Sequence, residues 1–184
     1  SSLSMSIMGN PKYEVQSGEI YFDGEIINEI TTDERARRGI FLCFQQVEEI
    51  EGLSYKDYLR EIKTKVKNEK PDIMFSMGIA NKFKEKKKSE LLQMKFLNPK
   101  LIILDEIDSG LDIDAIRSVC SSLKELIDEN KAVIIITHRE EVIHELNVTH
   151  VHVLKDGRKI VSGGIELFNK INKDGYSDIL KGNV

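Results

Sequence analysis

The densest chemistry in the chain lies where four apolar residues run into two carboxylates, Leu101-Ile102-Ile103-Leu104-Asp105-Glu106. An unbroken apolar run fits a strand buried on both faces. The carboxyl ends of such strands are where open α/β sheets bind ligands. A carboxylate there can hold Mg2+ through water beside a phosphate, and a neighbouring glutamate can polarise an attacking water. The same two acids could instead cap the loop or helix that follows. Ser109-Gly110-Leu111-Asp112 comes next, with Gly110 suited to a tight turn and Asp112 to capping a helix. A second apolar run, Ala132 to Ile136, ends in Thr137-His138. Beside the first run, it would bring His138 close to Glu106, where the imidazole could contact a terminal phosphate or hold the attacking water. A histidine there could equally be structural.

The intervening residues must build the frame. From Ile113 onward, Ile116, Val119, Cys120, Leu123, Leu126 and Ile127 make an apolar helical stripe. Strand, helix and strand from Leu101 to Ile136 then form a parallel crossover. Glu19 to Phe22 and Glu25 to Ile27 flank Asp23-Gly24, and Val151 to Leu154 and Lys159 to Ser162 flank Lys155-Asp156-Gly157-Arg158. Both patterns predict hairpins, because Asp-Gly supplies the positive φ angles of a tight turn. Helices are expected over Thr31 to Arg38, over Glu85 to Leu97 with a stop at Asn98-Pro99, over Arg139 to Leu146, and from Ile165. Ile40 to Phe44 reads as a strand. Tyr58, Leu59, Ile62 and Val66 have helical spacing in a more polar region. The fold class is therefore α/β with an antiparallel portion. One domain is expected over residues 1–184, with a small helical subdomain at approximately 53–98.

Composition narrows the classes further. The 184 residues, 21.0 kDa, suffice for one domain with a real core. With 40% hydrophobic and 32% charged residues, disorder as the main state is excluded. No apolar run approaches the roughly 20 residues of a membrane-crossing helix, and the first residues show no signal-peptide pattern. Direct membrane insertion is not expected. The net charge of −4 is the wrong balance for a general nucleic-acid binder. The basic run Lys84 to Lys88 is broken by Glu85 and reads as a solvated helix face. Cys43 and Cys120 sit among apolar residues and read as buried small hydrophobes in a reducing compartment. Two cysteines cannot build a four-cysteine metal or cluster site. His150 and His152 share a strand face but lack acidic or cysteine partners nearby.

The order LDE, then SGLD, then an apolar strand ending in TH resembles the ATP-binding cassette (ABC) family of P-loop ATPases. The resemblance extends to its SufC-type branch, the ATPase subunit of SUF iron–sulfur cluster assembly. It is carried by Ser2 to Val15 (SLSMSIMGNPKYEV), Gly39 to Gln45 (GIFLCFQ), Leu104 to Ala115 (LDEIDSGLDIDA) and Val151 through Gly163, and it covers most of the chain apart from Ile62 to Phe83. The resemblance implies an ABC-type core that hydrolyses ATP to ADP and phosphate with Mg2+, active with partner subunits. It also implies roles. Asp105 would be the Walker B aspartate, Glu106 the catalytic base and His138 the switch histidine. Gln45 would be the Q-loop glutamine that senses Mg2+ and the γ-phosphate. Ser1 would ligate Mg2+ and Ser2 contact phosphate. Asp112 would reach a partner copy from the D-loop, with Ser109 at the same contact, in a transient ATP-dependent homodimer. Ile50, Leu53 and Tyr55, apolar among acidic residues, would dock a SufB/SufD-like scaffold. The place implied is the cytoplasm, or the stroma of a plastid-type organelle.

Two departures from the family pattern stand out. The chain starts at the serine pair and holds no G-x-x-x-x-G-K, the loop that cradles phosphate. Phe83-Lys84 also runs directly into Glu85-Lys86-Lys87, without the Ser-Gly-Gly that precedes this helix in the family. The expectation is that the complete protein carries both glycine-rich loops, with further strands and the Walker A loop ahead of Ser1. The alternatives are a degenerate ATPase, acting as a nucleotide-independent interaction module, and the nucleotide-binding subunit of an ABC membrane transporter. A chromosome-maintenance ATPase head is disfavoured, because no heptads flank the core.

Overall fold

The structure, a computed structural model, describes residues 2–43, 91, 93–95 and 97–176. It divides into two compact units, residues 1–139 and 140–184.

The first unit is built on a parallel sheet. Strands β3 (Ile40–Cys43), β4 (Leu101–Asp105) and β5 (Ala132–Ile136) lie in the order β3-β4-β5, both pairs parallel. The register pairs Cys43 with Leu104 and Asp105 with Ile136. All of β3 is buried, as is β4 from Ile102 to Asp105. Strand β5 is as apolar as β4, yet it is only half-buried, with Ala132 exposed. Among the described residues it pairs with β4 alone; an apolar run gives a strand the capacity to be covered without specifying the cover.

Helices α1 (Ser2–Met8) and α2 (Thr32–Arg37) pack beside β3. Ile27, Ile40, Leu42 and Ile103 form a buried cluster, with Met5, Ile7, Met8, Ile30 and Ile134 packed against it. Each such side chain taken out of water contributes about 1.5–3 kcal/mol. The hairpin of β1 (Tyr21–Phe22) and β2 (Glu25–Ile26) turns as expected through Asp23 at φ 51° and Gly24 at φ 81°. Helix α3 (Ile113–Lys124) buries Ile116, Cys120 and Leu123, one stripe of it. It ends sooner than the sequence pattern suggests. Leu126 and Ile127 both donate their N–H groups to the Leu123 carbonyl, in a turn that closes the helix. Residues 93–95 are helical, and Asn98, at φ 44°, ends that stretch with an N–H bond to the Met94 carbonyl. Cys43 and Cys120 are both buried, as expected.

The second unit contains α4 (Glu140–Glu145), β6 (Val151–Lys155), β7 (Arg158–Gly163) and α5 (Ile165–Asp174). Strands β6 and β7 pair antiparallel through Asp156 and Gly157, with an irregularity between Val153 and Leu154. Helix α5 buries Phe168 and Ile171, and Ile171 forms a small core with Val153, against which Val161 and Leu167 pack. His150 falls just ahead of β6, so only His152 is on the strand, where its Nδ1 bonds the Ser162 hydroxyl. The expected helical subdomain lies mostly outside the described residues.

Candidate functional site

The site grows from the carboxyl edge of the parallel sheet, where β4 and β5 end side by side. Asp105 closes β4 and is only 3% exposed. Burying a carboxylate is costly without donors, and Ser4, itself fully buried on α1, donates its hydroxyl to Asp105 Oδ2 at 2.6 Å. That charge-assisted bond ties the first turns of α1 to the end of the central strand across 101 residues of sequence. Ser2 sits exposed at the start of α1.

Glu106, the next residue, has φ 48°, in the left-handed region that non-glycine residues avoid. Its N–H donates to the Ile136 carbonyl at 2.8 Å, extending the β4–β5 ladder by one bond. The chain then tightens: Ser109 N–H bonds the Glu106 carbonyl at 3.0 Å and Leu111 N–H the Asp108 carbonyl at 3.1 Å, with Gly110 at φ 70°. Ser109 is exposed. Asp112 caps α3, its Oδ1 accepting the Ala115 N–H at 2.8 Å.

His138 follows β5 by two residues and is exposed. The register of Asp105 against Ile136 brings Glu106 and His138 to the same edge, on neighbouring strand ends. Thr137, between Ile136 and His138, donates its hydroxyl to Asp108 Oδ1 at 3.1 Å and accepts the Arg139 N–H at 2.9 Å. Ser1, Gln45, Ile50, Leu53 and Tyr55 lie outside the described residues.

Asp105, Glu106 and His138 are thus gathered where the sequence pattern anticipates a ligand. Ser4 and Asp108 belong to the same edge but drew no role from the sequence. Ser4 stands between Ser2 and Ser6 on α1, and nothing in the sequence sets it apart from them. Asp108 is the third acid of Asp105-Glu106-Ile107-Asp108 and was quoted without a function.

The chemistry available is that of hard oxygen donors. Mg2+ takes one or two carboxylates together with waters and substrate phosphates. One buried carboxylate at a sheet edge fits that demand, and Asp105 would hold the ion, which would neutralise phosphate charge there. Among the described residues no group of three His, Cys, Asp or Glu is placed to hold a metal, and Mg2+ beside a nucleotide does not require one.

No family model matches the chain. Individual relatives do. Vegetative protein 296 of Bacillus subtilis is 36% identical over 200 residues, spanning 96% of this chain and 76% of its own length. A probable ABC transporter ATP-binding protein of Streptococcus pyogenes serotype M3 is 36% identical over 202 residues, spanning 97% of this chain and 79% of its own. Both alignments are longer than the 184 residues of this chain, so the relatives carry residues inside the aligned span that have no counterpart here. The fold is likewise shared. The ADP conformation of an ATP-binding cassette of an ABC transporter superposes with a TM-score of 0.72 at 20% identity, covering 98% of this chain and 82% of that one. Edge geometry, sequence identity and fold agree: the chain belongs to the ATP-binding cassette family.

Proposed function

We propose that this chain is the ATP-hydrolysing subunit that powers iron–sulfur cluster assembly on a SufB/SufD-like scaffold. The observation that carries the catalytic part is the gathering of Asp105, Glu106 and His138 at one edge, with Asp105 buried and fixed by Ser4. In this reading Asp105, Ser1 and Gln45 hold Mg2+, and Ser2 contacts phosphate. Glu106 takes the proton of the attacking water, and His138 contacts the γ-phosphate. Ser109 and Asp112 meet a second copy of the chain.

The assembly role is supported by the resemblance of Met8-Gly9-Asn10-Pro11-Lys12-Tyr13 and of the Val151 to Gly163 tail to SufC-type subunits. The first of these segments has a physical demand in this fold. Gly9 has φ 75°, and a Cβ there would lie 2.8 Å from Arg35 Nε. Two buried cysteines leave cluster chemistry to the partners. A second reading, the nucleotide-binding subunit of a membrane transporter, is favoured by the name of the streptococcal relative. Among the described residues no helix is long and apolar enough to cross a membrane, so that role too would need separate partners.

The test is reconstitution of the complete protein with a SufB/SufD-like pair. ATP turnover is expected to rise on adding the pair, and cluster absorbance to grow only with hydrolysable ATP. Replacing Ile50 and Leu53 together by Asp should abolish co-purification with the scaffold while leaving ATP affinity unchanged. Turnover indifferent to the scaffold, with stimulation by a membrane-embedded partner instead, would give the transporter reading the place of this one.

A further inference from the structure

The loop after β4 and the loop after β5 are bound together by a small polar latch made of residues outside the groups proposed to act on ATP. Asp108 is 1% exposed. Its Oδ1 accepts the Thr137 hydroxyl at 3.1 Å. That hydroxyl already accepts the Arg139 N–H at 2.9 Å, so its own proton is committed to the carboxylate. Asp108 Oδ2 has no hydrogen-bond donor among the described residues, and Arg139 Nε stands 3.8 Å away, within ion-pair range only. Asp108 therefore grips the residues on both sides of His138, one by hydrogen bond and the other by charge, from a position two residues beyond Glu106.

A buried carboxylate oxygen without a donor is poor economy for stability, since each such atom costs on the order of 1–3 kcal/mol or more when charged. An apolar or amide side chain of the same shape would satisfy the fold at least as well. What the carboxylate does accomplish is geometric. The Glu106 N–H bond to the Ile136 carbonyl fixes one side of the gap between the two loops, and the Asp108–Thr137–Arg139 latch fixes the other. Between them Glu106 and His138 have little freedom to drift apart, and a misplacement of about 1 Å can cost 100-fold in rate.

We infer that Asp108 and Thr137 are positioning residues that hold His138 in register with Glu106 for hydrolysis, Arg139 completing the clamp. This rests on the reading of Glu106 and His138 as groups that act on ATP.

The test uses the complete protein with its stimulating partner and compares Thr137→Val, Thr137→Ser and Asp108→Leu, each alone and in a His138→Ala background. Valine keeps the shape of threonine and removes the hydroxyl; serine restores it. Thr137→Val and Asp108→Leu should lower kcat at least about tenfold with KM for ATP within about twofold, since what is lost is the placement of His138 in the transition state. Thr137→Ser should recover most of the rate. In the His138→Ala background, single-turnover rates should fall no further, because residues that act through one another are non-additive. Melting temperature of Asp108→Leu should hold or rise, and this variant carries the test if Thr137→Val does not fold. Wild-type kcat in the folded variants would overturn the inference, as would losses that multiply in full with the loss from His138→Ala. A wild-type protein that neither binds nor hydrolyses ATP would instead overturn the ATPase reading on which the inference stands.

Discussion

Two neighbouring carboxylates at the end of β4 meet different fates, and the difference bears on the work proposed for each. Asp105 is buried and bonded to Ser4, so it is fixed at the sheet edge. Glu106 is half-buried with a left-handed backbone that costs on the order of 1 kcal/mol. Strain held at one residue beside a fixed carboxyl group is the pattern of a functional position. Glu106→Gln is expected to bind ATP with unchanged affinity and to lose turnover by about 100-fold or more, since the amide keeps the shape and removes the base; equilibrium nucleotide binding and steady-state phosphate release check both halves. Ser4→Ala is expected to cost about 2 kcal/mol of stability, the worth of a hydrogen bond to a buried charge. The shift of the urea midpoint at constant slope measures it. The shared edge of Asp105, Glu106 and His138 was legible because each follows an apolar run that forms a strand. Ser4 and Asp108 were not, because their importance lies in partners 101 and 29 residues away in sequence.

The elements were legible wherever local chemistry decides them. Asp23-Gly24 and Asp156-Gly157 force the hairpins, and the period of the apolar residues fixes α3. What local chemistry does not reveal is how α1, only seven residues long, is held. Its last carbonyls have no partners within the helix. Arg35 of α2, 2% exposed, supplies them: Nη1 donates to the Ser6 and Ile7 carbonyls at 2.9 and 2.8 Å. The same guanidinium donates to the Ile30 carbonyl at 2.8 Å and the Asn28 carbonyl at 2.9 Å. A cation at a helix C-terminus is also favoured by the helix dipole. The planar fork serves four carbonyls at once, which a lysine ammonium on its thinner stem does not. Arg35→Met should therefore cost at least about 3 kcal/mol, and Arg35→Lys should recover little of it. Loss of thermal stability in both variants, read by calorimetry on the complete protein, is the expected outcome. A lysine variant at wild-type stability would mean that charge alone holds α1.

At the scale of the whole molecule, the fold and the family could be read from a few short stretches, because LDE, SGLD and TH each sit at a strand end or helix start that the fold makes obligatory. The assembly in which the site works was legible only as an implication of that resemblance. Asp112 is where the two levels meet. It is exposed, and its Oδ1 caps α3 through the Ala115 N–H, a bond worth about 1 kcal/mol. If the residue does no more than cap, Asp112→Asn should be silent, since asparagine caps as well as aspartate does. If it also reaches a second copy of the chain across a shared ATP, the lost charge weakens the pairing while the monomer keeps its stability. In that arrangement neither copy holds a complete site, so the transition-state charge is stabilised only when two meet. Specific activity of the wild-type protein should then rise with protein concentration until it saturates, and a dilute monomer should turn over ATP weakly or not at all. Asp112→Asn should move the half-saturating concentration upward at an unchanged melting temperature, whereas Asp112→Ala should move both. Activity per molecule that stays constant on dilution to a demonstrated monomer would remove the second copy from the mechanism and leave Asp112 as a helix cap.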